Sequence, residues 1–403
     1  ESDHIDRGLG GPIKISSGNY QDKLSNAFFQ ACVDVGAKSN EDYNINFDGV
    51  GWLQYSIKNG LRSSTSSGYL KTAKKNKNLK IITKAEVEKI IFDGKKAIGV
   101  KYNKDNYSTE VRVRGEVILS AGSINSPKIL ELSGIGQGSF LKSYGIDVIS
   151  DLAGVGENLT DHFLTRLTWE LTQPISLNEK TRGIKLLGEL MTYMLHQRGS
   201  LSMPAGILGG FVKSDPVIDD PDIQLLVAHA SFANPAKRIF DKFPGVSIGP
   251  NQSRPHSRGY VHITSANPMD APEIAPRYLT AEHDRFVLVE GMKIARQIMA
   301  ADCLKDLVMR EVRPGPEISD YESLLAFARE TGNTVYHPVS TCRMGPDKAT
   351  GDVVDAELRV HGIRGLRVVD ASVMPKITSG NTHAPTVMIA EKAADMIKAA
   401  RIG

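Results

Sequence analysis

The 403-residue sequence predicts an α/β chain of mixed α+β character, in which strand–turn–helix elements near both ends enclose a mixed sheet backed by helices. Three observations carry that expectation. The apolar run Val117-Ile118-Leu119 leads into Ala121-Gly122 and a helical stretch, as a buried strand turning into a helix does. Leu366-Arg367-Val368-Val369 reads as a second short strand, followed by a Gly/Asn loop and a closing helix from about Pro385. Between residues 150 and 335, helical patterns at about 185–198 and 282–301 alternate with strand-like pieces, Asp222–Ala228 and Gly259–Thr264, punctuated by Arg-Pro and Asn-Pro.

The remaining elements follow in order. Leu24, Phe28, Ala31, Cys32 and Val35 recur at helical spacing over residues 22–36, with Gly36 as the stop. Residues 39–60, rich in Gly, Asn and Asp, are expected to be loop-dominated. Leu79–Ile82 and Val87–Ile91, then Ala97–Val100 across an Asp93-Gly94 turn, read as a hairpin or meander. There is no internal repeat or low-complexity tract.

Composition narrows the function classes. With 41% hydrophobic and 24% charged residues, the chain is of ordinary globular type. A formal net charge of +3 gives no argument for a nucleic-acid partner, and the one basic run (Lys71, Lys74, Lys75, Lys77, Lys80) reads as a solvated loop. Cys32, Cys303 and Cys342 form no CxxC pair, which argues against a disulfide framework or structural zinc and makes a reducing, cytoplasmic setting the default. No apolar run reaches the roughly 18–20 residues of a membrane span, so no integral span is expected; peripheral attachment stays open. The opening Glu1–Asp6 lacks the basic head and apolar core of a signal peptide. The histidines include no HExxH, and His256 and His262 have no acidic partner at metal spacing, so no metal site is expected. Gly245-Val246-Ser247-Ile248-Gly249 matches G-x-S-x-G, but prolines surround it where a hydrolase elbow needs a buried strand and a helix.

The run Gly122-Ser123-Ile124-Asn125-Ser126-Pro127-Lys128-Ile129-Leu130-Glu131-Leu132-Ser133-Gly134-Ile135-Gly136 is the strongest signal. A helix N-terminus just beyond a strand presents unpaired N–H groups and the positive end of a dipole to a ligand. As physics this is generic, and such corners are often only packing. The whole run, however, resembles the second signature of the glucose–methanol–choline oxidoreductases at every constrained position. Further matches follow in the family's order: Arg62–Thr65 with Tyr69-Leu70, Asn78–Val87, Gly154–His162, Arg254-Pro255 with Ser257–Gly259, and Asn267-Pro268. Tyr336-His337-Pro338, Cys342–Gly345, Val369–Ser372 and Ser379–Thr382 complete a series spanning essentially the full length. The chain is identified as a member of that family, with residues 1–149 and 346–403 as parts of an FAD-binding domain and residues 150–345 as a substrate-binding domain.

What the resemblance implies is an FAD-dependent oxidation of a small-molecule primary alcohol to an aldehyde. His337 alone reads as a hydrogen-bonded core histidine; the resemblance implies that it faces the flavin ring and takes the alcohol proton while hydride passes to flavin N5. A neutral imidazole suits that task near physiological pH. Asn381 reads alone as an Asx-turn residue; the resemblance places it beside the reacting oxygen, where an amide N–H steadies alkoxide character. The resemblance also implies cofactor contacts from Val87, Asp370, Ala371, Asn381 and Thr382. His383 stands where family members often carry asparagine, and its role stays open. His162 reads as structural.

Residues 1–40 contain no strand followed by G-x-G-x-x-G, the turn that receives a dinucleotide pyrophosphate. Gly11-Pro12 resembles a family stretch lying after that segment. The expectation is therefore an N-terminal fragment or second chain carrying the Rossmann motif, in a bacterial protein. Two other readings stay open: a flavin-containing hydroxynitrile lyase on the same fold, and a flavin-free binding subunit.

Overall fold

The computed structural model describes residues 8–17, 22–204, 206–235 and 237–402. Its helices and sheets are mixed as expected, and the chain gathers into two compact units that each draw on three separated stretches. One comprises the chain up to Lys80 with Leu164–Ser253 and Arg285–Asn333; the other comprises Ile81–Phe163, Arg254–Asp284 and the chain from Thr334 onward.

The first unit is built on an antiparallel sheet whose strands run in the spatial order Gly49–Trp52, Gly206–Val212, Ile223–Ala228, Gly245–Gln252, Leu167–Leu171, Val308–Arg313. Helix Lys23–Asp34 starts at a capping box, Asp22 accepting from Ser25 N–H and Ser25 Oγ accepting from Asp22 N–H, and buries Leu24, Phe28, Ala31 and Cys32. Leu24 and Phe28, both fully buried, each contribute about 1.5–3 kcal/mol of burial. Helix Glu282–Met299 approaches the sheet closely at Gly291, where a Cβ would stand 2.6 Å from Pro250 Cβ. Residues 39–60 are not wholly loop: Gly49–Trp52 joins the sheet, its two glycines letting the backbone pass against Lys38 O and Asn40 O. The G-x-S-x-G string forms part of the buried strand Gly245–Gln252, with Ser247 Oγ bonded to Ala230 O at 2.8 Å, so it is no nucleophile elbow.

The second unit combines a three-stranded meander, Glu86–Asp93, Lys96–Lys104 and Tyr107–Arg112, with a parallel pair, Val117–Leu119 and Leu366–Val368. The Asp93-Gly94 turn stands where expected, whereas Leu79–Ile82 forms no strand and its apolar side chains are exposed. Ile90, Val117, Leu119, Leu366 and Val368 anchor this unit's core together with Leu130 of helix Gly122–Leu132. The closing helix runs His383–Ile402, with Pro385 in its first turn.

Candidate active site

The site residues gather where the parallel strands end, in the second unit. After Leu119 the chain turns through Ala121 and Gly122, whose φ of +79° suits glycine, into the helix. After Val368 it reaches Asp370, which caps the short turn Ala371–Val373 by accepting from Ser372 N–H at 2.8 Å. The same carboxylate accepts from Gly122 N–H at 2.9 Å and Ser126 Oγ at 2.6 Å, stitching the two strand ends together. Asp370 is buried and wholly engaged in these internal bonds through its side chain.

Pro127 lies in the second turn of this helix. Lacking an N–H, it leaves the Ser123 carbonyl without its helical partner. Thr341 Oγ1 donates to that carbonyl at 2.7 Å, and Ser123 Oγ donates to Pro338 O at 2.7 Å. The segment carrying His337 is thereby hung from the helix N-terminus.

His337 is held at three points. Its backbone N–H donates to Asp161 Oδ1 at 2.8 Å, its Nδ1 lies 2.9 Å from His162 Nδ1, and its Nε2 lies 3.0 Å from Asn381 Nδ2. The two imidazoles meet edge to face, 85° apart. Asp161 also accepts from the hydroxyls of Tyr278, at 2.5 Å, and Thr334. The backbone on either side is unusual: Tyr336 and Ser340 adopt φ of +63° and +75°. Such conformations cost energy and cluster where a site dictates them; here Tyr336 N–H is held by Thr334 Oγ1 and Ser340 Oγ by Met374 O. His337 is 8% exposed. Burial holds its pKa below the ordinary imidazole value, against the pull of the Asp161 carboxylate, so its ring is neutral at neutral pH.

The expected residues are thus placed unequally. His337 and Asn381 meet directly. Thr382 caps the closing helix, its carbonyl accepting from Thr386 N–H and Oγ1, and Ala371 opens the turn after Asp370. His383 is the exposed first residue of that helix. Val87 stands in the meander opposite Tyr102, half-buried against the core. Sequence reasoning passed over Asp161 and gave His162 only a structural part; the Asp-His pair ending the Gly154–His162 motif was the available signal. His262 also has acidic partners that spacing did not reveal: its ring bridges Glu131 (2.6 Å) and Glu157 (3.1 Å). Those carboxylates raise its pKa despite the opposing cost of burial.

A GMC oxidoreductase family model matches residues 3–164, and its C-terminal counterpart matches residues 255–390. The chain is 38% identical to an alcohol dehydrogenase [acceptor] of Pseudomonas putida, the match covering 97% of this chain and 71% of that one. It is equally identical, 38%, to an oxygen-dependent choline dehydrogenase of Staphylococcus xylosus, over 97% and 70% of the two chains. Among solved structures, an FAD-dependent oxidoreductase from Chaetomium thermophilum superposes with a TM-score of 0.89 at 28% identity, covering 98% of this chain and 75% of that one. A pyridoxine 4-oxidase from Mesorbium loti gives 0.83 at 28% identity, over 96% and 72%. No helix among the described residues is long and apolar enough to cross a membrane.

Proposed function

The chain belongs to the GMC oxidoreductase family, and from that premise we propose that it oxidises a primary alcohol to an aldehyde, with FAD as cofactor and His337 as general base. The observation that carries this reading is the neutral, buried His337 imidazole whose Nε2 meets the Asn381 amide at 3.0 Å. An alcohol hydroxyl entering between these groups finds a lone pair to take its proton and an N–H to steady its oxygen. Transfer of the hydroxyl proton to Nε2 leaves negative charge on the alcohol oxygen, which is what drives hydride from the carbinol carbon.

The residues at the strand ends fit a large planar cofactor. Ser120, Ala121 and Asn381 are exposed there, and a Cβ on Gly122 would meet nothing within 4 Å. That is the carboxyl end of a parallel sheet, the side on which α/β folds bind such groups. Asp370, Ala371, Asn381 and Thr382 would hold FAD there through their backbones, with Val87 toward the adenine. When bound, FAD supplies the hydride acceptor. The relatives named as alcohol and choline dehydrogenases support a primary alcohol as substrate.

His337→Ala in the FAD-loaded enzyme tests the assignment. Anaerobic flavin bleaching by a primary alcohol is expected to slow by about 10²–10⁴-fold with FAD still bound. Bleaching at the original rate would overturn it.

A further inference from the structure

The two bonds to the His337 ring also determine where its proton sits. An amide nitrogen has only hydrogens to offer, so Asn381 Nδ2 at 3.0 Å requires His337 Nε2 to present its lone pair. A neutral imidazole carries one N–H, which must then be on Nδ1. That nitrogen is 2.9 Å from His162 Nδ1, so His162 accepts there and carries its own proton on Nε2. A protonated His162 would set two N–H groups against each other and is excluded by this geometry.

The chain is arranged to hold these rings in register. Thr160 and Val339 exchange backbone bonds at 3.2 and 2.9 Å, and Val335 N–H donates to His162 O at 3.1 Å. Asp161 and His162 therefore lie antiparallel to the segment bearing His337, one gripping its backbone and the other its ring. His162 is fully buried, without access to substrate.

We propose that His162 is a positioning residue that holds His337 in the Nδ1–H tautomer, keeping Nε2 unprotonated and turned toward the substrate hydroxyl. This rests on the reading of His337 as base. The nitrogen that hydrogen-bonds to a second group decides which ring nitrogen is left free; without His162 an Nδ1–H loses its acceptor, so the proton can move to Nε2 with the Asn381 amide turning to accept it through Oδ1, and the lone pair that takes the alcohol proton is lost.

Two substitutions separate positioning from packing. His162→Asn sets an Oδ1 acceptor near the place of Nδ1, whereas His162→Leu keeps a similar branched shape and removes the acceptor. The first readout is heteronuclear NMR of the full chain labelled at histidine nitrogens, with His337 assigned by its loss in His337→Gln. Wild type and His162→Asn are expected to show protonated Nδ1 and bare Nε2 at His337, and His162→Leu a shift toward Nε2–H. A wild-type ring protonated on Nε2, or a folded Leu variant with an unchanged tautomer, overturns the proposal. The second readout is flavin reduction with FAD bound: about a ten- to hundredfold slower in His162→Leu at little changed KM, largely restored in His162→Asn. If His337→Ala bleaches flavin normally, the base assignment fails, while the NMR result still decides what His162 does to the ring.

Discussion

The Thr341 hydroxyl donates to the Ser123 carbonyl at 2.7 Å across 218 positions of sequence, and it can do so because Pro127 provides no helical N–H for that carbonyl. A missing donor in one helix thereby becomes the anchor of the segment that carries His337. Thr341→Val preserves shape and removes the donor. Since Thr341 is fully buried, the orphaned carbonyl should cost about 1–3 kcal/mol. Urea unfolding is expected to show a lower midpoint at unchanged slope, and an unaltered midpoint would mean that the bond holds nothing.

Asp161 carries a second expectation. It accepts from the His337 backbone N–H, the Tyr278 hydroxyl and the Thr334 hydroxyl. Its charge raises the pKa of His337 against the downward push of burial. Asp161→Asn removes that charge and sets an amide N–H₂ among donors. The His337 pKa should fall further, moving the acid limb of the flavin-reduction profile to lower pH. Stability should fall by about 2–3 kcal/mol, as expected on losing hydrogen bonds to a charged acceptor. A limb that moves toward higher pH contradicts the electrostatic role.

What sequence reasoning could read here was local or carried by family motifs. The Asp93-Gly94 turn, the strand running into Gly122, helix Lys23–Asp34 and the closing helix each leave a periodicity or a punctuating residue. His337 and Asn381 were singled out by motif and are found in contact. The bonds that organise the site join residues far apart: His337 to Asp161 across 176 positions, Thr341 to Ser123 across 218. Such pairs are set by tertiary placement and produce no pattern along the chain. Strand Gly49–Trp52 was hidden for a different reason. Its glycines read as loop, although they allow close backbone passage within the sheet.

His229 predicts how stability of the first unit responds to acid. Its ring is 1% exposed and packs near Phe28, with Nδ1 3.7 Å from Asp22 Oδ2 and Nε2 without a hydrogen-bond partner. Burial lowers its pKa to about 4; Asp22 opposes that shift and Lys180 adds to it. The unfolded chain has the ordinary value near 6.5. Between these values the unfolded state binds a proton that the folded state does not, so stability rises with pH over roughly 4 to 6.5. The full swing is about 3 kcal/mol, at 1.36 kcal/mol per unit. His229→Gln removes the titrating group, so the stability difference between wild type and variant should change by that amount across the window and stay level above it. Denaturant midpoints measured at pH 4, 5, 6 and 7 in both proteins make the comparison, and a constant difference would show that His229 is not buried neutral.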